Sequence, residues 1–561
     1  MHATASFGQA LGIWSLFALL TLGFGLLTRA GLRVPTENDD DWIECFWMGW
    51  CALIAVLQIW HLVHRIDRSC LAFCSAVATA GLIVGRGQIA RLRRPDWFVL
   101  LPFSVGALWV ADQSFNVPGS WETGLYHIQA IRWNIACPTV PGLANLHFPT
   151  GYNNSSLLYA ALMEITPPYR GIQLASGLLV LAMLAQLLCV YARVARKQPL
   201  DVGHLAMLAL SPVIFIQLLE PNVYVAGPSA SWLPSSPSNI SSPTPDLAML
   251  ALGVAITPPM VRSIFREGIG RVTFLSVAIL ASVGTTVKMS FLAFAVLALL
   301  TALLRARPSS RQLAMAAAAC AIILLPFAIA NLITSGYFLF PAYRFGHLDV
   351  PWRMPLELIR FYVDSAMKGW CRRPADNWET SLTGWSWVRD WAAREFGYFR
   401  RLGLPLCIAA LAILVRVARF GMRRAADWLV VIPPLGGVVV WFFTMPISRY
   451  LGATTWCLVA ASVLLLIVPL GNRRVAAIIL TVASLVAAAD SGRLARFTRP
   501  RWKPIHVTNP PVEILASGLE VHHVLGGAGM QMWDAPLVTT PTLHPSLRAL
   551  VPGNPCGGFA Q

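Results

Sequence analysis

The chain has 561 residues, of which 56% are hydrophobic and only 12% are charged. A soluble protein cannot cover that much apolar surface with polar groups, so the composition excludes an ordinary globular enzyme. The net charge of +17 would suit nucleic acid, but the basic residues fall in short clusters between apolar runs. That distribution is typical of membrane-protein loops, and we expect no nucleic-acid partner.

Fourteen apolar runs predict an all-α polytopic membrane protein with about 12–14 transmembrane helices. A helix needs about 20 apolar residues to cross the hydrocarbon layer, and it satisfies its own backbone hydrogen bonds. No polar segment separates the eighth run from the ninth. The predicted spans are 9–28, 43–64, 69–85, 97–111, 171–192, 203–221, 244–261, 272–288, 289–304, 312–332, 403–418, 427–446, 450–470 and 474–491.

Basic clusters follow alternate spans, for example Arg29 with Arg33, and Arg193 with Arg196 and Lys197. Cytoplasmic loops carry such an excess of basic residues, so these clusters are predicted to face the cytoplasm. The long segments 112–170, 222–243, 333–402 and 492–561 then lie outside. The chain divides accordingly into N-terminal helices (1–111), a first long loop (112–170), a helical core (171–332), a second long loop (333–402), C-terminal helices (403–491) and a C-terminal tail (492–561). The tail contains short β-like runs such as Val521–Leu525, and it is either a small cap domain or an irregular segment.

Three cysteines, Cys137, Cys371 and Cys556, lie in segments that are predicted to be outside. Any two of them could form a disulfide, and the sequence does not select a pair. The other cysteines lie mostly in apolar runs and have no metal-binding spacing, so we expect them to pack as small apolar residues.

The first long loop concentrates groups capable of chemistry at its start, where Glu122 precedes a predicted amphipathic helix over 125–134. Apolar residues of that helix, Ile128, Ile131 and Trp133, are predicted to sit in the membrane interface. The helix dipole favours an ionised carboxylate at Glu122, which could then act as a general base toward a hydroxyl group.

Charged residues near other helix starts are candidates for substrate binding. Asp246 could bind an acceptor or a metal, or it could belong to a helix cap with Thr244. Lys288 could contact a lipid phosphate or could snorkel to the interface. Arg449, with Tyr450, could hold a phosphate through two hydrogen bonds or could anchor a helix at the interface.

Further candidates lie within the first long loop. His127 and His147 could orient an acceptor or move a proton, or they could simply pack inside the loop. Arg132 could bind an anion or anchor the loop. Asn153 and Asn154 could hydrogen-bond a sugar or cap the helix that follows.

The stretch E-T-G-L-Y-H-x-Q-A-I-R-W, followed by V-P-G-L-A-N-L-H and N-N-S-S, covers residues 121–156 and resembles a poorly characterised group of bacterial membrane proteins. In that group the acidic position is commonly Asp, where this chain has Glu122. A long first outer loop with an acidic residue followed by an aromatic–His pair looks like the GT-C superfamily of glycosyltransferases. The likeness extends loosely to 241–246, 335–341 and Ser448–Tyr450.

The resemblance implies a GT-C-like bundle in a bacterial inner membrane, with a catalytic site facing the periplasm. It implies transfer of a sugar from a polyprenyl phosphate donor to a glycan, lipid or protein acceptor, with membrane lipid as a further partner. Cofactors are not certain, a divalent cation is allowed, and no metal ligands are predicted. A transporter or flippase of lipid-linked saccharide, or a polysaccharide polymerase or ligase, remains as an alternative. The predicted catalytic residues are Glu122 and His127, and the predicted substrate-binding residues are Tyr126, Arg132, Asn145, His147, Asn153, Asn154, Asp246, Lys288, Arg449 and Tyr450.

Overall fold

A computed structural model describes most of the chain in atomic detail. The described residues are 2–33, 41–90, 97–219, 239–266, 271–374, 378–397, 402–422, 425–492, 502, 505, 509–525 and 530–561. Of the predicted outer segment 222–243, residues 222–238 lie outside the described residues.

Each of the fourteen apolar runs coincides with a helix, so the described chain is mostly helical, which is compatible with the predicted all-α class. The two runs that no polar segment separates also form distinct helices. The fourteen helices are α1 (His2–Leu32), α2 (Asp41–His61), α3 (Arg68–Val84), α5 (Trp97–Ser114), α9 (Gly171–Ala195), α10 (Val202–Leu219), α11 (Pro245–Phe265), α12 (Arg271–Val287), α13 (Leu292–Ala306), α14 (Ser310–Ser335), α18 (Gly403–Phe420), α19 (Ile432–Thr444), α21 (Thr454–Ile467) and α22 (Arg473–Gly492).

Seven helical segments among the described residues are long and apolar enough to cross a membrane, and they indicate an integral membrane protein. These segments are Ala5–Leu32, Trp42–His61, Gly171–Ala195, Pro245–Phe265, Met289–Ala306, Ser310–Ser335 and Gly403–Phe420. Five further apolar helices are shorter: Arg68–Val84, Val202–Ile216, Thr273–Val287, Ile432–Thr444 and Thr454–Leu470.

Helix α11 lies at the centre of the bundle, where it packs against α9, α10, α12, α13 and α21. In an apolar stretch of 18 residues in α11, 94% of the residues are buried inside the protein. In the corresponding stretches of α14 and α18, only 28% are buried. The exposed apolar faces of the peripheral helices suit contact with lipid, while the central helix can place a polar residue at its end inside the protein.

The first long loop folds into short helices that pack onto the bundle. They comprise a π-helical turn (Thr123–His127), α6 (Ile128–Ala136), α7 (Leu143–Leu146), a 3-10 turn (Phe148–Tyr152) and α8 (Ser156–Glu164). The predicted helix over 125–134 is thus confirmed, but its predicted position in the lipid interface is wrong. Ile128 and Ile131 are fully buried and Trp133 is 2% exposed, because α8 and the C-terminal tail cover α6.

The second long loop is also largely helical. It contains a 3-10 turn (Tyr343–Phe345), α15 (Leu356–Arg360), a π-helical segment (Phe361–Met367), α16 (Lys368–Arg372), a 3-10 turn (Trp378–Ser381) and α17 (Trp387–Gly397). The remaining short elements in the helical regions are α4 (Arg86–Ile89), α20 (Ser448–Leu451) and 3-10 turns at Asn239–Ser241, Met289–Phe291, Ala425–Val430 and Val468–Leu470.

The C-terminal tail folds as a cap over the first long loop. Its strands are β1 (Val512–Ile514), β2 (Glu520–His523), β3 (Thr539–Thr540), β4 (Arg548–Ala549) and β5 (Phe559–Ala560), with a 3-10 turn at Pro555–Gly557. β2 pairs antiparallel with β1 and parallel with β3, with His522 opposite Val512 and Thr539, while β4 pairs antiparallel with β5. The predicted β-like run Val521–Leu525 overlaps β2, and the described part of the tail is hereafter called the cap.

A disulfide between Cys137 and Cys556 fastens this cap to the first long loop across 419 residues of sequence. Around it, Trp133 and Leu143 of the loop pack with Leu547 and Phe559 of the tail. Cys371, the third candidate, is a buried free thiol. The cross-link and the shared apolar cluster make the loop and the cap one folded unit.

Candidate functional site

Four charged side chains from four distant segments meet in one cluster. The Arg449 guanidinium donates to both carboxylate oxygens of Glu122, at 2.7 Å from Nη1 to Oε2 and through a short Nη2–Oε1 contact. Its Nε lies 3.6 Å from Oδ2 of Asp246, and the Lys288 ammonium pairs with the other oxygen of Asp246. These four residues are hereafter the ion cluster.

Each member of the ion cluster is positioned by a helix end. Glu122 directly precedes the π-helical turn, where Ser120 donates a hydrogen bond of 3.1 Å to its Oε2. Asp246 lies in the first turn of α11, which Thr244 caps as predicted. Lys288 follows the last residue of α12, and Arg449 lies on the single-turn helix α20.

The side chains of the ion cluster are only 16–21% exposed. Two acidic and two basic groups balance one another, which is the arrangement that makes partly buried charge tolerable. Since Coulomb interactions are stronger in such a low-dielectric setting than in water, the four side chains hold one another in place.

Tyr450 forms one wall of the ion cluster. Its ring centroid lies 4.6 Å from Nζ of Lys288 and 4.9 Å from Cζ of Arg449, and its hydroxyl accepts a hydrogen bond of 3.2 Å from Arg449. The negative face of an aromatic ring attracts both cations, so Tyr450 helps to hold the two basic groups in the cluster.

His127 and Tyr126 lie beside the ion cluster on the π-helical turn. Burial and the nearby positive charge of Lys288 lower the pKa of His127 from 6.5 to about 3, so the imidazole is neutral at physiological pH. Burial raises the pKa of Tyr126 as well. Nδ1 of His127 lies 3.2 Å from the Thr123 hydroxyl, which in turn pairs with Ser242.

Two of the predicted substrate-binding residues, Arg132 and Asn145, instead join the first long loop to other segments. Arg132 forms an ion pair of 2.9 Å with Asp534 of the tail. Asn145 donates to the carbonyl groups of Trp352 and Phe559, at 2.9 and 3.2 Å. A third predicted residue, His147, is buried in the loop, and burial lowers its pKa to about 3.

Asn153 and Asn154 join the first long loop to the helices of the bundle, and Asn153 donates a hydrogen bond of 3.5 Å to the carbonyl of Phe327 in α14. Asn154 donates a hydrogen bond of 2.9 Å to the carbonyl of Val287, the residue before Lys288. Neither asparagine caps α8 through its side chain, because Ser155 occupies the cap position, so the capping interpretation is wrong. Together with Tyr126, both asparagines line a cavity of about 30 Å³.

The ion cluster is a poor match to a divalent cation site in the observed arrangement. Its two carboxylates, Glu122 and Asp246, are engaged by Arg449 and Lys288, which a cation would have to displace. Within the described ranges, no three or more His, Cys, Asp or Glu side chains form a metal-binding group. That a divalent cation could serve as a cofactor stays a prediction.

Sequence reasoning missed the polar residues that support the ion cluster. Ser120 and Ser242 are small hydroxyl residues in loops, a type that is too common to be distinctive. Glu395 of α17 contacts the backbone beside Arg449, although 53 residues separate it from its partner Ser448. Only the folded chain brings these groups together.

Comparison with known proteins places the chain in a family without an assigned activity. Residues 10–456 match the family described as a domain of unknown function (DUF8201), and the chain belongs to that family. The match includes all four members of the ion cluster. No curated protein and no solved structure matches the chain.

Proposed function

We propose that this protein is a membrane glycosyltransferase that moves a sugar from a polyprenyl phosphate donor to an extracytoplasmic acceptor. The observation that carries the proposal is the ion cluster, in which Arg449 joins the carboxylate of Glu122 to a site that also holds Lys288. A phosphate-binding pair of cations beside a candidate base is what this transfer needs.

The proposed reaction is a direct displacement at the anomeric carbon. The acceptor hydroxyl attacks that carbon while its proton passes to Glu122, and the bond between the sugar and the phosphate oxygen breaks. Polyprenyl phosphate leaves with the bonding electron pair and is stabilised by Lys288 and Arg449. The configuration at the anomeric carbon inverts.

The pairing between Glu122 and Arg449 gives the donor phosphate a role in activating the base. A carboxylate that accepts two hydrogen bonds from a guanidinium is a weak base, because the ion pair stabilises its charged form. A donor phosphate that takes over the Arg449 contacts would release Glu122 to accept a proton. Neutral His127, the last residue of the π-helical turn that follows Glu122, can then help to orient the acceptor.

The position of the ion cluster supports a site at one membrane face. Asp246 begins α11 and Arg262 lies near its end, where it pairs with Asp201 at 2.8 Å. Helix α11 has 21 residues and is therefore about 30 Å long, which matches the hydrocarbon thickness. Because Arg262 lies toward the face with the basic clusters, the ion cluster is proposed to lie at the opposite, outer face. The disulfide supports the same assignment, since disulfides persist in oxidising compartments.

The transporter alternative requires functional charges near the membrane midplane. All members of the ion cluster instead lie at or beyond helix ends, which favours catalysis at a membrane boundary. The polymerase or ligase alternative uses similar donors and is separated from the proposal by the product that forms.

A Glu122→Gln variant in cells tests the proposal. We expect the polyprenyl-linked sugar to accumulate and an envelope glycan, lipid or protein to lose the mass of that sugar, as measured by mass spectrometry. Glu520→Gln, at an exposed glutamate of the cap, is the matched control. Unchanged lipids and glycans at a normal level of the variant protein would overturn the assignment of Glu122. Accumulation of the lipid-linked sugar on one side of the membrane, with no sugar transfer by the purified unaltered protein, would instead identify a flippase.

A further inference from the structure

The backbone just before Arg449 is held by three buried side chains. Residues 446–448, hereafter the strap, follow α19 and end at the first residue of α20. The Trp391 indole donates to the carbonyl of Pro446, and the Trp441 indole donates to the carbonyl of Ile447 at 2.7 Å. The Glu395 carboxylate accepts a hydrogen bond of 2.8 Å from the backbone N–H of Ser448.

Glu395 is unusual among these contacts because it is a buried carboxylate, with its side chain only 5% exposed. Its other oxygen accepts a hydrogen bond of 3.0 Å from Arg394. Arg394 in turn donates to the carbonyl groups of Cys371 and Arg372, at 2.8 and 3.3 Å. The charge of Glu395 is therefore compensated, and α17 is tied to α16 on the far side of the strap.

The strap needs such external support because α20 is short. A four-residue helix cannot hold its own geometry, and the N–H groups of its first turn have no partner within the helix. Ser448 supplies one of these N–H groups, and Glu395 satisfies it from another part of the chain. Gly452, with φ of +50°, ends the helix on the other side. The direction in which Arg449 projects thus depends on contacts that the second long loop provides.

We propose that Glu395 is a positioning residue, which together with Trp441 holds the strap so that Arg449 faces the donor phosphate. The inference rests on the proposed function, because it assigns a purpose to the orientation of Arg449. Glu395 acts through the backbone of Ser448 and does not itself touch the substrate. The second long loop thereby helps to determine how tightly the donor is bound.

The experiment measures the binding of polyprenyl phosphate to the purified full-length protein in detergent. For Glu395→Leu we expect the dissociation constant to rise about tenfold, since a hydrogen bond between a buried carboxylate and the helix N–H is lost. Glu395→Gln retains an oxygen that can accept the Ser448 N–H and should bind within about threefold of the unaltered protein. Glu379→Leu, at an exposed glutamate of the same loop, is the matched control and should bind normally.

Thermal unfolding, recorded alongside, separates positioning from a merely structural role. If Glu395 only stabilised the fold, Glu395→Leu would lower the unfolding temperature while the folded protein kept its normal affinity, and the inference would be overturned. If that variant does not fold, Trp441→Phe decides the matter, because it removes one hydrogen bond to the strap and nearly keeps the shape. We expect several-fold weaker binding for Trp441→Phe, and normal binding would overturn the inference.

A further variant, Arg449→Gln, distinguishes failure of this inference from failure of the proposed function. Normal polyprenyl phosphate binding by Arg449→Gln would show that Arg449 does not bind the donor phosphate, and it would reject the proposed donor site together with the positioning role. Weaker binding by Arg449→Gln with normal binding by both strap variants would leave the donor site in place and reject only the positioning role.

Discussion

The guanidinium of Arg449 holds both carboxylate oxygens of Glu122, although 327 residues separate the two in the chain. The same guanidinium also approaches Asp246, so one side chain connects the first long loop, the central helix and the C-terminal helices. Because each of the two side chains is only 19% exposed, the pair is neither a solvated surface salt bridge nor an isolated buried charge. Its geometry leads directly to the first two predictions.

Arg449→Lys should abolish most sugar transfer. Lysine places a single ammonium where arginine offers two parallel donors, so it can satisfy only one oxygen of Glu122 or of a phosphate. The loss of one charge-assisted hydrogen bond corresponds to about 1.5–3 kcal/mol, or at least about tenfold in rate. Accumulation of polyprenyl-linked sugar in cells is the measurement. Arg344→Lys, at a 76% exposed arginine of the second long loop, is the control; equal accumulation in the two variants contradicts the prediction.

Asp246→Asn should lower stability more than a surface charge change does. The substitution leaves Lys288 partly buried without its carboxylate partner, which we expect to cost about 1–3 kcal/mol in the free energy of unfolding. The unfolding temperature in detergent is the measurement, and Asp349→Asn, at a 91% exposed aspartate, is the control. The double variant Asp246→Asn with Lys288→Gln should recover part of the loss, because it removes the unpaired charge. A double variant less stable than the sum of the single changes would contradict this account.

Stability should fall as the pH drops from about 7 to about 5, in part because of His147. Burial lowers its pKa to about 3 from the ordinary 6.5, so the unfolded chain binds a proton there that the folded chain does not. Folding is therefore favoured above pH 6.5, and the stability is lost progressively below it, by at most about 1.4 kcal/mol per pH unit. His147→Leu should flatten the dependence of the unfolding temperature on pH. The control is His347→Gln, at an exposed histidine; an unchanged slope in His147→Leu would show that other groups cause the acid sensitivity.

The disulfide should be present in protein isolated from membranes under non-reducing conditions. Cys137 and Cys556 are cross-linked, and the other nine cysteines form no disulfide. Maleimide–polyethylene glycol should therefore add nine labels to the denatured protein before reduction and label all 11 cysteines after it. Cys556→Ser should gain one label before reduction and lose about 2–5 kcal/mol of stability. Complete labelling of the unaltered protein without reductant would rule out the cross-link and remove one argument for an outer location.

Gly124→Ala should impair both folding of the cap and catalysis. The Gly124 carbonyl accepts hydrogen bonds of 2.8 Å from the backbone N–H groups of Met532 and Trp533. A methyl group at this position would overlap the side chains of Gln531 and Trp533 and would push the cap away from the π-helical turn that follows Glu122. We expect a cost of about 1–3 kcal/mol, measured as a lower unfolding temperature and faster proteolysis of the tail. Gly397→Ala, where the added carbon meets nothing within 4 Å, is the control and should behave as the unaltered protein.

Much of the helical framework was accessible from local patterns. An apolar run of sufficient length forms a helix whatever its neighbours are, and so the fourteen runs correspond to helices. The sequence also identified the four members of the ion cluster as candidates. A charged side chain at a membrane span costs free energy, so such residues are commonly paired or functional.

Local patterns failed where burial depends on distant segments. The amphipathic period of α6 predicted an apolar stripe correctly, but the stripe faces α8 and the C-terminal cap instead of lipid. Arg132 and Asn145 carried the same polar signal as the members of the ion cluster, yet they bind the cap and the second long loop. Periodicity tells which side chains share a face, and it contains no information on what covers that face.

By itself, the sequence determined that this is a helical membrane protein with its distinctive polar residues beside the predicted spans, since hydrophobic run length and charge placement act locally. Only the tertiary structure decided that Arg449 pairs with Glu122, that Cys137 pairs with Cys556 and that Glu395 supports the strap. These contacts join segments tens to hundreds of residues apart. Their energies depend on distances and burial that exist only after the helices have packed around α11.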